Sequence, residues 1–498
     1  MNRYDVLIIG SGLSGLLCGY ILSKEGFSVC ILEKQSVAGG CLQSFRRGEN
    51  SFDTGFHYIG SMLPGQTLHS YWKYFGLSQN LGLEQLNSDC YDLVSIEGED
   101  YPLAQGLQNF AGRLTDSFPS SADFLDKYVN ALSETVSAFP LYNFELKGRQ
   151  AKTVWMETNA WEFLRNMAGK DPGNLKLLNV LAGNNFLYAG RKAYTPWHQY
   201  ALINHSFISS AFRMKQSSME IADHLISSVK SAGGKVFTGQ EATKIIALKE
   251  KFQVETSARE VFVTDRIIAG IHPQSAIRLL DPSMVKKTYR SRIMGMHNTV
   301  SSFGLYLGMK PGSFPYLDHN LYYHLNKDVW ADAESKNENW PSMYFLYTPA
   351  NSRQGSHSSA VCILSYMVYE EVEQWEKTST GRRGKDYREF KNERAEKLLS
   401  VIERKFPFIR SSISNMEIST PLTWRDYTGT PEGSLYGIRK ESDDHLRTMI
   451  LPRTKIPGFY FTGQNLNMHG APGVTIGAVM TCAEILGLEY LFNKIRNA

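Results

Sequence analysis

The sequence predicts an α/β fold in which a Rossmann-like domain is interleaved with an α+β domain. Three observations predict it: a strand–turn–helix–strand pattern at one end of the chain, a strand–loop–helix pattern near the other end, and the absence of a low-complexity linker between them. The 498 residues are enough for two domains with large cores.

The amino-terminal pattern organises the rest of the chain. Tyr4–Ile9 is an apolar run of strand length, and Gly10–Gly15 (GSGLSG) is a GxGxxG motif that opens a helical pattern. Ser28–Leu32 is a second strand, and Glu33 follows it. The three glycines provide a tight turn, close backbone approach to a pyrophosphate and close helix–strand packing, and Glu33 is placed to accept hydrogen bonds from ribose hydroxyls. Helix amides stabilise phosphate charge, so we predict dinucleotide binding. The predicted contacts are Gly10, Ser11, Gly12, Leu13, Ser14, Gly15, Glu33 and Lys34.

The charge balance and the cysteine spacing argue against several other classes of protein. The net charge is +4 with 53 basic and 49 acidic residues, which argues against a dedicated nucleic-acid-binding protein. The six cysteines are scattered without a CxxC pair, so we expect no metal site and no disulfide framework. The apolar run near the start is needed as a strand, and we expect no signal peptide. We therefore expect a cytoplasmic protein and leave contact with a membrane surface open.

Two further motifs carry a family resemblance. Ala38–Phe45 reads AGGCLQSF, and Phe52–Gly60 reads FDTGFHYIG. Together with the GxGxxG turn, they resemble the flavoprotein superfamily of amine oxidases, phytoene desaturases and carotenoid isomerases, most closely its all-trans-retinol 13,14-reductase branch. The resemblance implies FAD as the cofactor and a glutathione-reductase-type FAD-binding domain. Many relatives carry arginine where this chain has Cys41, so no arginine–phosphate contact is expected here.

The resemblance also implies the remaining site residues. A strand at Pro457–Asn465 ends in Thr-Gly, and a loop through Pro472–Val474 is expected to lead into a helix beneath the flavin. Amides at the start of that helix would stabilise negative charge on the reduced flavin. The implied cofactor contacts are Gly39, Gly40, Cys41, Ser44, Gly55, His57, Ala242, Gly270, Gly463, Gln464, Gly473 and Val474.

The middle of the chain is predicted to form the substrate domain. We assign residues 1–70, 214–290 and 441–498 to the FAD-binding domain, and residues 71–213 and 291–440 to the substrate domain. Residues 151–213 are rich in aromatic side chains, which indicates either an aromatic core or a helical cap over a large apolar pocket. The polar candidates in this segment are His198, Gln199, Asn204 and His205, although such histidines are more typical of a core.

These observations lead to a hypothesis about activity. We expect an FAD-dependent oxidoreductase that reduces or desaturates a C–C double bond of a lipophilic polyene, retinoid- or carotenoid-like. His57 and Tyr58 are the candidate proton donors. Two alternatives stay open, a flavin-dependent cis–trans isomerase without net redox change and a flavin-free lipid-binding or escort protein on the same fold. The electron donor or acceptor and the oligomeric state are not predicted.

Overall fold

The computed structural model describes residues 2–146, 153–334 and 339–498. The strands are β1 Asn2–Ile9, β2 Val29–Leu32, β3 Ser44–Arg47, β4 Asn50–Asp53, β5 Ile59–Gly60, β6 Leu83–Gln85, β7 Asp92–Ile96, β8 Glu99–Leu103, β9 Ala211–Met214, β10 Lys235–Phe237, β11 Ala242–Ala247, β12 Phe252–Thr256, β13 Val261–Ala269, β14 Ser301–Met309, β15 Asn320–His324, β16 Met343–Tyr347, β17 Arg353–Gln354, β18 His357–Ser358, β19 Ala360–Met367, β20 Ile413–Ser419 and β21 Phe459–Phe461. The α-helices are α1 Leu13–Lys24, α2 Thr67–Tyr74, α3 Leu77–Asn80, α4 Leu107–Ser117, α5 Ala122–Ser137, α6 Thr153–Glu157, α7 Ala160–Ala168, α8 Pro172–Leu181, α9 Trp197–Ser209, α10 Met219–Ser231, α11 Pro273–Leu279, α12 Lys287–Met294, α13 Lys385–Ile402, α14 Ile409–Ser412, α15 Pro421–Thr428, α16 His445–Thr448, α17 Gly470–Leu486 and α18 Leu488–Arg496.

The first sheet joins the two ends of the chain. Its strand order is β10-β2-β1-β13-β12-β11, and β21 pairs with β13 through Ala269 and Phe461. The pairs β10–β2, β2–β1, β1–β13 and β13–β21 are parallel, whereas β12 pairs antiparallel with its two neighbours. Because the carboxyl ends of β1, β13 and β21 share one edge, the turns that follow them open onto the same crevice.

One helix holds the amino- and carboxyl-terminal elements together. α1 packs against α10 and α17, and it is buried around most of its circumference. The Cys18 thiol on α1 lies 3.6 Å from the Thr462 hydroxyl and 3.7 Å from the Ala478 carbonyl oxygen. A helix that is apolar on all sides belongs in a core, so the first and last segments fold as one unit.

The second sheet has the order β20-β14-β19-β16-β15-β7-β8, in which only the β15–β7 pair is parallel. Side chains alternate between its two faces, as a strand requires. Leu305 and Leu346 pack in one core cluster with Leu398 of α13. Tyr306 and Phe345 belong instead to the cluster that includes the aromatic cap. The sheet is thus covered on one face by α13 and lies on the other against the aromatic segment.

The aromatic segment forms a helical layer built around α9. The side chains from Trp197 to Asn204 are buried, and Trp197 and Tyr200 are less than 2% exposed. These two rings therefore belong to an aromatic core, which is one of the two interpretations of this segment given above. Among the described residues, no helix is long and apolar enough to cross a membrane. The α/β fold class is confirmed, and the exact domain boundaries stay a prediction.

Candidate dinucleotide cleft and aromatic chamber

The GxGxxG turn lines a cleft at the carboxyl edge of the first sheet. With its open mouth included, the cleft spans about 1300 Å³. Gly10 has φ +96°, a conformation that L side chains rarely adopt. A Cβ on Gly15 would lie 2.1 Å from the Gly10 carbonyl oxygen, so only glycine lets α1 approach β1 this closely. A Cβ on Gly12 would have no atom within 4 Å. The missing side chain at Gly12 therefore leaves room in the cleft. At Gly10 and Gly15, by contrast, glycine is required by the backbone conformation and by the packing of α1.

Glu33 closes one side of this cleft and is only 7% exposed. Its Oε2 accepts hydrogen bonds from the Ser11 amide at 3.0 Å and the Ser11 hydroxyl at 2.5 Å, and its Oε1 accepts from the Gln35 amide at 2.8 Å. The carboxylate is thus held rigidly against the turn. A carboxylate in this place is the group expected to accept hydrogen bonds from ribose hydroxyls.

A second glycine turn meets the first. Gly39 and Gly40 have φ values of +125° and +57°, and a Cβ on Gly40 would lie 3.1 Å from the Gly12 Cα. The Gly39 amide donates to the Ser11 hydroxyl over 3.0 Å. The two turns therefore form one cradle of exposed backbone, which is the surface that a pyrophosphate requires.

Most of the predicted cofactor contacts meet in this cleft. The predicted residues that line it are Gly10, Ser11, Gly12, Leu13, Ser14, Glu33, Lys34, Gly40, Cys41, Ala242, Gly270, Gly463, Gln464 and Val474. Gly55, His57 and Gly473 line an adjoining chamber instead. Gly15, Gly39 and Ser44 line neither space: Gly15 and Gly39 support the turns, and Ser44 pairs with Asp53 in the β3–β4 hairpin.

Other residues of the cleft were not predicted. Gln240, His272 and Asn465 line it, as does the segment 427–430, which follows the second sheet in the chain. Residues 427–430 lie inside the range assigned to the substrate domain, and no motif connects them to a nucleotide. Their contact with the cleft depends on the packing of the two sheets, which a sequence pattern does not reveal.

The start of α17 separates the cleft from the chamber. His469 and Gly470 line the chamber, and Val474 lines the cleft. The helix begins at Gly470, so the expectation of a loop through Pro472–Val474 is wrong. Pro472 is tolerated because the first turn of a helix has no use for its missing N–H. The free amides of this turn face the junction of the two spaces, where they favour negative charge.

The chamber, with its open mouth included, spans about 780 Å³ and is predominantly apolar. Phe186, Phe207, Phe345 and Tyr436 contribute rings to its wall, from the aromatic segment, the second sheet and the loop before α16. The cap interpretation therefore holds for Phe186 and Phe207. None of the four polar candidates predicted in the aromatic segment lines this chamber: His198, Gln199, Asn204 and His205. His198 lines a neighbouring cavity instead.

A buried polar cluster lies behind the chamber wall. Tyr58 and Tyr322 both line the chamber, and their hydroxyl oxygens are 2.7 Å apart. The Tyr58 hydroxyl donates to Asp92 Oδ2 over 3.0 Å, and Asn320 Nδ2 donates to Asp92 Oδ1 over 2.8 Å. Arg213, which is 1% exposed, donates to Asn320 Oδ1 at 2.7 Å. No sequence motif predicted these four as site residues: Asp92, Asn320, Tyr322 and Arg213.

Burial sets the protonation of this cluster. Burial raises the pKa of Asp92 to about 7, although hydrogen bonds from Asn320 and Tyr58 act in the opposite direction. Burial also raises the pKa of Tyr58 well above its usual value. Near neutral pH, Asp92 therefore holds a proton part of the time, next to a tyrosine that keeps its own.

His57 has a different setting. Its Nδ1 lies 2.7 Å from the Tyr347 hydroxyl, and burial lowers its pKa to about 4. The imidazole is neutral at neutral pH, so it can accept or donate a hydrogen bond but carries no spare proton. His469 is similar, because its Nε2 lies 2.9 Å from the Leu187 carbonyl oxygen and burial lowers its pKa to about 4.

The two spaces fit a flavin dinucleotide. A Cβ on Gly12 would meet no protein atom within 4 Å, and Glu33 and the first turn of α17, at Val474, line the same cleft. Cys41, which lines the cleft, packs against Gly55 of the chamber: a Cβ on Gly55 would lie 3.1 Å from the Cys41 Cβ. A cofactor with a dinucleotide part and a flat ring could therefore extend from the cleft into the chamber.

Comparisons with known proteins agree with this geometry. Residues 8–75 match the family profile of the NAD(P)-binding Rossmann-like domain. Human all-trans-retinol 13,14-reductase is 25% identical over 100% of this chain and 87% of its own length. Chloroplastic prolycopene isomerase 2 of an Oncidium hybrid cultivar is 24% identical over 99% of this chain and 85% of its own length.

A solved structure extends the comparison to the fold. A putrescine oxidase variant, made in a structure-based redesign of cofactor binding, superposes with a TM-score of 0.64 at 14% identity, covering 97% of this chain and 99% of that one. The resemblance read from the sequence motifs is confirmed: over its whole length this chain is similar to all-trans-retinol 13,14-reductases and prolycopene isomerases, and it has the fold of putrescine oxidase.

Proposed function

We propose that the protein is an FAD-dependent oxidoreductase that reduces or desaturates a C–C double bond of a lipophilic polyene. The observation that carries this function is the junction of the dinucleotide cleft with an aromatic chamber that contains a few placed hydroxyls. An apolar chamber of this kind suits a long hydrocarbon, and the few polar groups can orient it or transfer protons. The oxidoreductase class agrees with the name of the retinol reductases, whereas the name of the prolycopene isomerases concerns isomerisation.

Residues of the cleft would bind the cofactor, and residues of the chamber would surround the substrate. The backbone around Gly12 and Gly40 would hold the pyrophosphate, Glu33 the ribose, and the first turn of α17 the electron-rich edge of the ring. When bound, the flavin supplies or accepts the hydride. The aromatic wall excludes water, so a hydride donor and an unsaturated carbon can meet without competition from solvent.

Saturating a double bond also requires a proton, for which we propose Tyr58 and Asp92. As the π bond breaks, one carbon gains a hydride, with both electrons, and the other gains the Tyr58 proton. Asp92 returns a proton to Tyr58 over their 3.0 Å hydrogen bond and is reprotonated later. The electrons come ultimately from an external two-electron donor. Tyr322 positions Tyr58 through the 2.7 Å contact between their hydroxyls.

Isomerisation is the second candidate. The similarity to prolycopene isomerase covers 99% of this chain, nearly the same share as the similarity to the reductase. In an isomerase, Tyr58 would add a proton to the polyene, the resulting cation would rotate about the former double bond, and a proton would be removed again without hydride transfer, so the substrate would keep its mass. The same chamber can therefore serve both reactions, and product analysis must separate them.

The function is tested by the spectrum of the purified protein and by its products. We expect flavin absorbance and extraction of FAD, and we expect a polyene incubated anaerobically with reduced protein to gain two hydrogens. A product of unchanged mass with altered double-bond geometry would select the isomerase. A protein that stays colourless after FAD is supplied would contradict the proposal and favour the lipid-binding alternative.

The proton donor is tested by Asp92→Asn, which keeps the size of the side chain and an acceptor for Tyr58. We expect the wild-type rate of proton delivery to fall as the pH rises through about 7, and the variant to be slower by about 100-fold or more without that pH dependence. Exposed Asp126→Asn serves as the control. Unchanged turnover in Asp92→Asn would remove Asp92 from the mechanism.

Stability gives a second readout for Asp92 that does not depend on turnover. Its carboxyl binds a proton more tightly in the folded protein than in the unfolded chain, so protonation stabilises the fold. The contribution of Asp92 to stability should therefore be greatest below about pH 4, where its carboxyl is protonated in both states, and should be lost as the pH rises from there to about 7. Asp92→Asn should lose less over the same interval, as measured by denaturant unfolding at several pH values.

A further inference from the structure

A second apolar cavity lies beside the chamber and shares part of its wall. The two spaces have Tyr142, Leu202 and Met468 in common, and the second cavity, with its open mouth included, spans about 1040 Å³. Leu451 lines the second cavity and is 52% exposed, which shows that the cavity reaches the protein surface. A path from solvent to the chamber thus leads through this cavity, past a wall that includes a flexible methionine.

One cation lines this apolar cavity without an acidic partner. Lys440 Nζ donates to the Asn465 carbonyl oxygen at 2.7 Å and to the Thr448 carbonyl oxygen at 3.1 Å. No carboxylate in the described part of the chain forms an ion pair with Lys440; its neighbour Glu441 pairs with Arg439. Burial lowers the pKa of the Lys440 ammonium to about 7. Lys440 is partly buried, and an ammonium held against an apolar wall without a counter-charge is costly, a cost that an anion would relieve.

A histidine of the same cavity offers a second polar group. His198 is 8% exposed, stacks on Phe139 with ring centroids 5.7 Å apart, and has no described hydrogen-bond partner at Nδ1. His445 also lines the cavity and lies 3.6 Å from Glu157. Arg292 is a further positive neighbour of Lys440. The bases His198, His445 and Arg292 therefore lie near Lys440, and the two carboxylates named here, Glu157 and Glu441, are in ion-pair contact with His445 and Arg439.

We propose that this cavity binds the carboxylate end of an amphipathic polyene acid, with Lys440 and His198 as its partners and the hydrocarbon chain directed toward the aromatic chamber. The third N–H of the Lys440 ammonium is free of described acceptors and can donate to a carboxylate oxygen. The apolar lining, which includes Met156, Ile476 and Met480, suits the first part of the chain. This inference rests on the proposed function and names the class of substrate: an unsaturated acid rather than a neutral alcohol.

The test compares two probes that share one polyene skeleton, all-trans-retinoic acid and all-trans-retinol. Each is titrated into the flavin-containing protein, and binding is followed by quenching of tryptophan fluorescence. We expect the acid to bind at least ten-fold more tightly than the alcohol in the wild type. Lys440→Met should abolish this preference while the affinity for the alcohol changes less than three-fold. Lys440→Arg should retain the preference, and exposed Lys385→Met serves as the matched control.

The outcomes separate this inference from the proposed function. An acid that binds no better than the alcohol, or a preference that survives in Lys440→Met, would overturn the inference even if the protein turns over a neutral polyene. A preference for the acid that depends on Lys440 would support the cavity even if no polyene is reduced or isomerised. If Lys440→Met melts well below the wild type, because two carbonyls lose their donor, the comparison of Lys440→Arg with Lys440→Gln decides by the same criterion.

Discussion

The dinucleotide cleft and the aromatic chamber adjoin each other but are built in opposite ways. The cleft is lined largely by backbone, at glycines such as Gly12 and Gly40 where the chain needs close approach or a positive φ. The chamber is lined by large side chains from distant parts of the chain, such as Tyr58 and Tyr322. The first surface is suited to phosphate and ribose through its fixed amides and Glu33, and the second is apolar with a few buried hydroxyls.

This difference determines what a substitution can do. In the cleft, a methyl group added at Gly15 should break the packing of α1 on β1, whereas one added at Gly12 should occupy the space proposed for the cofactor. In the chamber, side chains that share one hydrogen-bond cluster should differ strongly in their effect, since only some of them can exchange a proton. Substitutions in both regions can test this contrast.

Among the substitutions that test this contrast, Gly15→Ala is expected to have the largest effect, which is a loss of folding stability. An alanine Cβ there would lie 2.1 Å from the Gly10 carbonyl oxygen and 3.4 Å from Ile8 Cγ2, so α1 must shift away from β1. Overpacking of this kind costs about 3 kcal/mol of folding free energy or more when backbone must move. We expect Gly15→Ala to lower the midpoint of denaturant unfolding strongly or to yield no soluble protein.

The control for Gly15 is the exposed Gly112 of α4, where a Cβ would have no atom within 4 Å. Gly112→Ala should leave stability unchanged or raise it by about 0.5–1 kcal/mol, because alanine favours the helix. If Gly15→Ala were as stable as Gly112→Ala, the close contact between α1 and the Gly10 turn would be wrong.

A smaller effect, on binding rather than folding, is expected at Gly12. An alanine Cβ there meets no protein atom within 4 Å, so the fold should tolerate it, but the methyl group enters the space between the two glycine turns. We expect Gly12→Ala to unfold like the wild type and to retain flavin about ten-fold more weakly, which corresponds to roughly 1.4 kcal/mol. Flavin absorbance after dialysis measures this. Full retention of flavin would place the pyrophosphate elsewhere.

The same contrast explains how much could be predicted from the sequence. The cleft was predictable because Gly10, Gly12 and Gly15 have fixed spacing along one strand–turn–helix, and Glu33 follows on the next strand. No sequence motif marks Asp92. Its contact with Asn320 depends on the parallel pairing of β7 with β15, which brings together residues more than two hundred positions apart along the chain. No local pattern encodes that pairing.

The smallest effect is expected at His57, and it decides between the two proton donors named from the sequence. His57→Gln keeps a hydrogen-bonding group near the Tyr347 hydroxyl, which lies 2.7 Å from the imidazole Nδ1 in the wild type. Because burial lowers the pKa of His57 to about 4, the imidazole carries no proton to deliver at neutral pH, and we expect flavin content and turnover to change by about three-fold or less. Asp92→Asn should then be far slower under the same conditions. If instead His57→Gln retains its flavin but loses turnover by 100-fold, while Asp92→Asn remains active, the proton reaches the substrate from His57 and the Tyr58–Asp92 cluster has only a structural role.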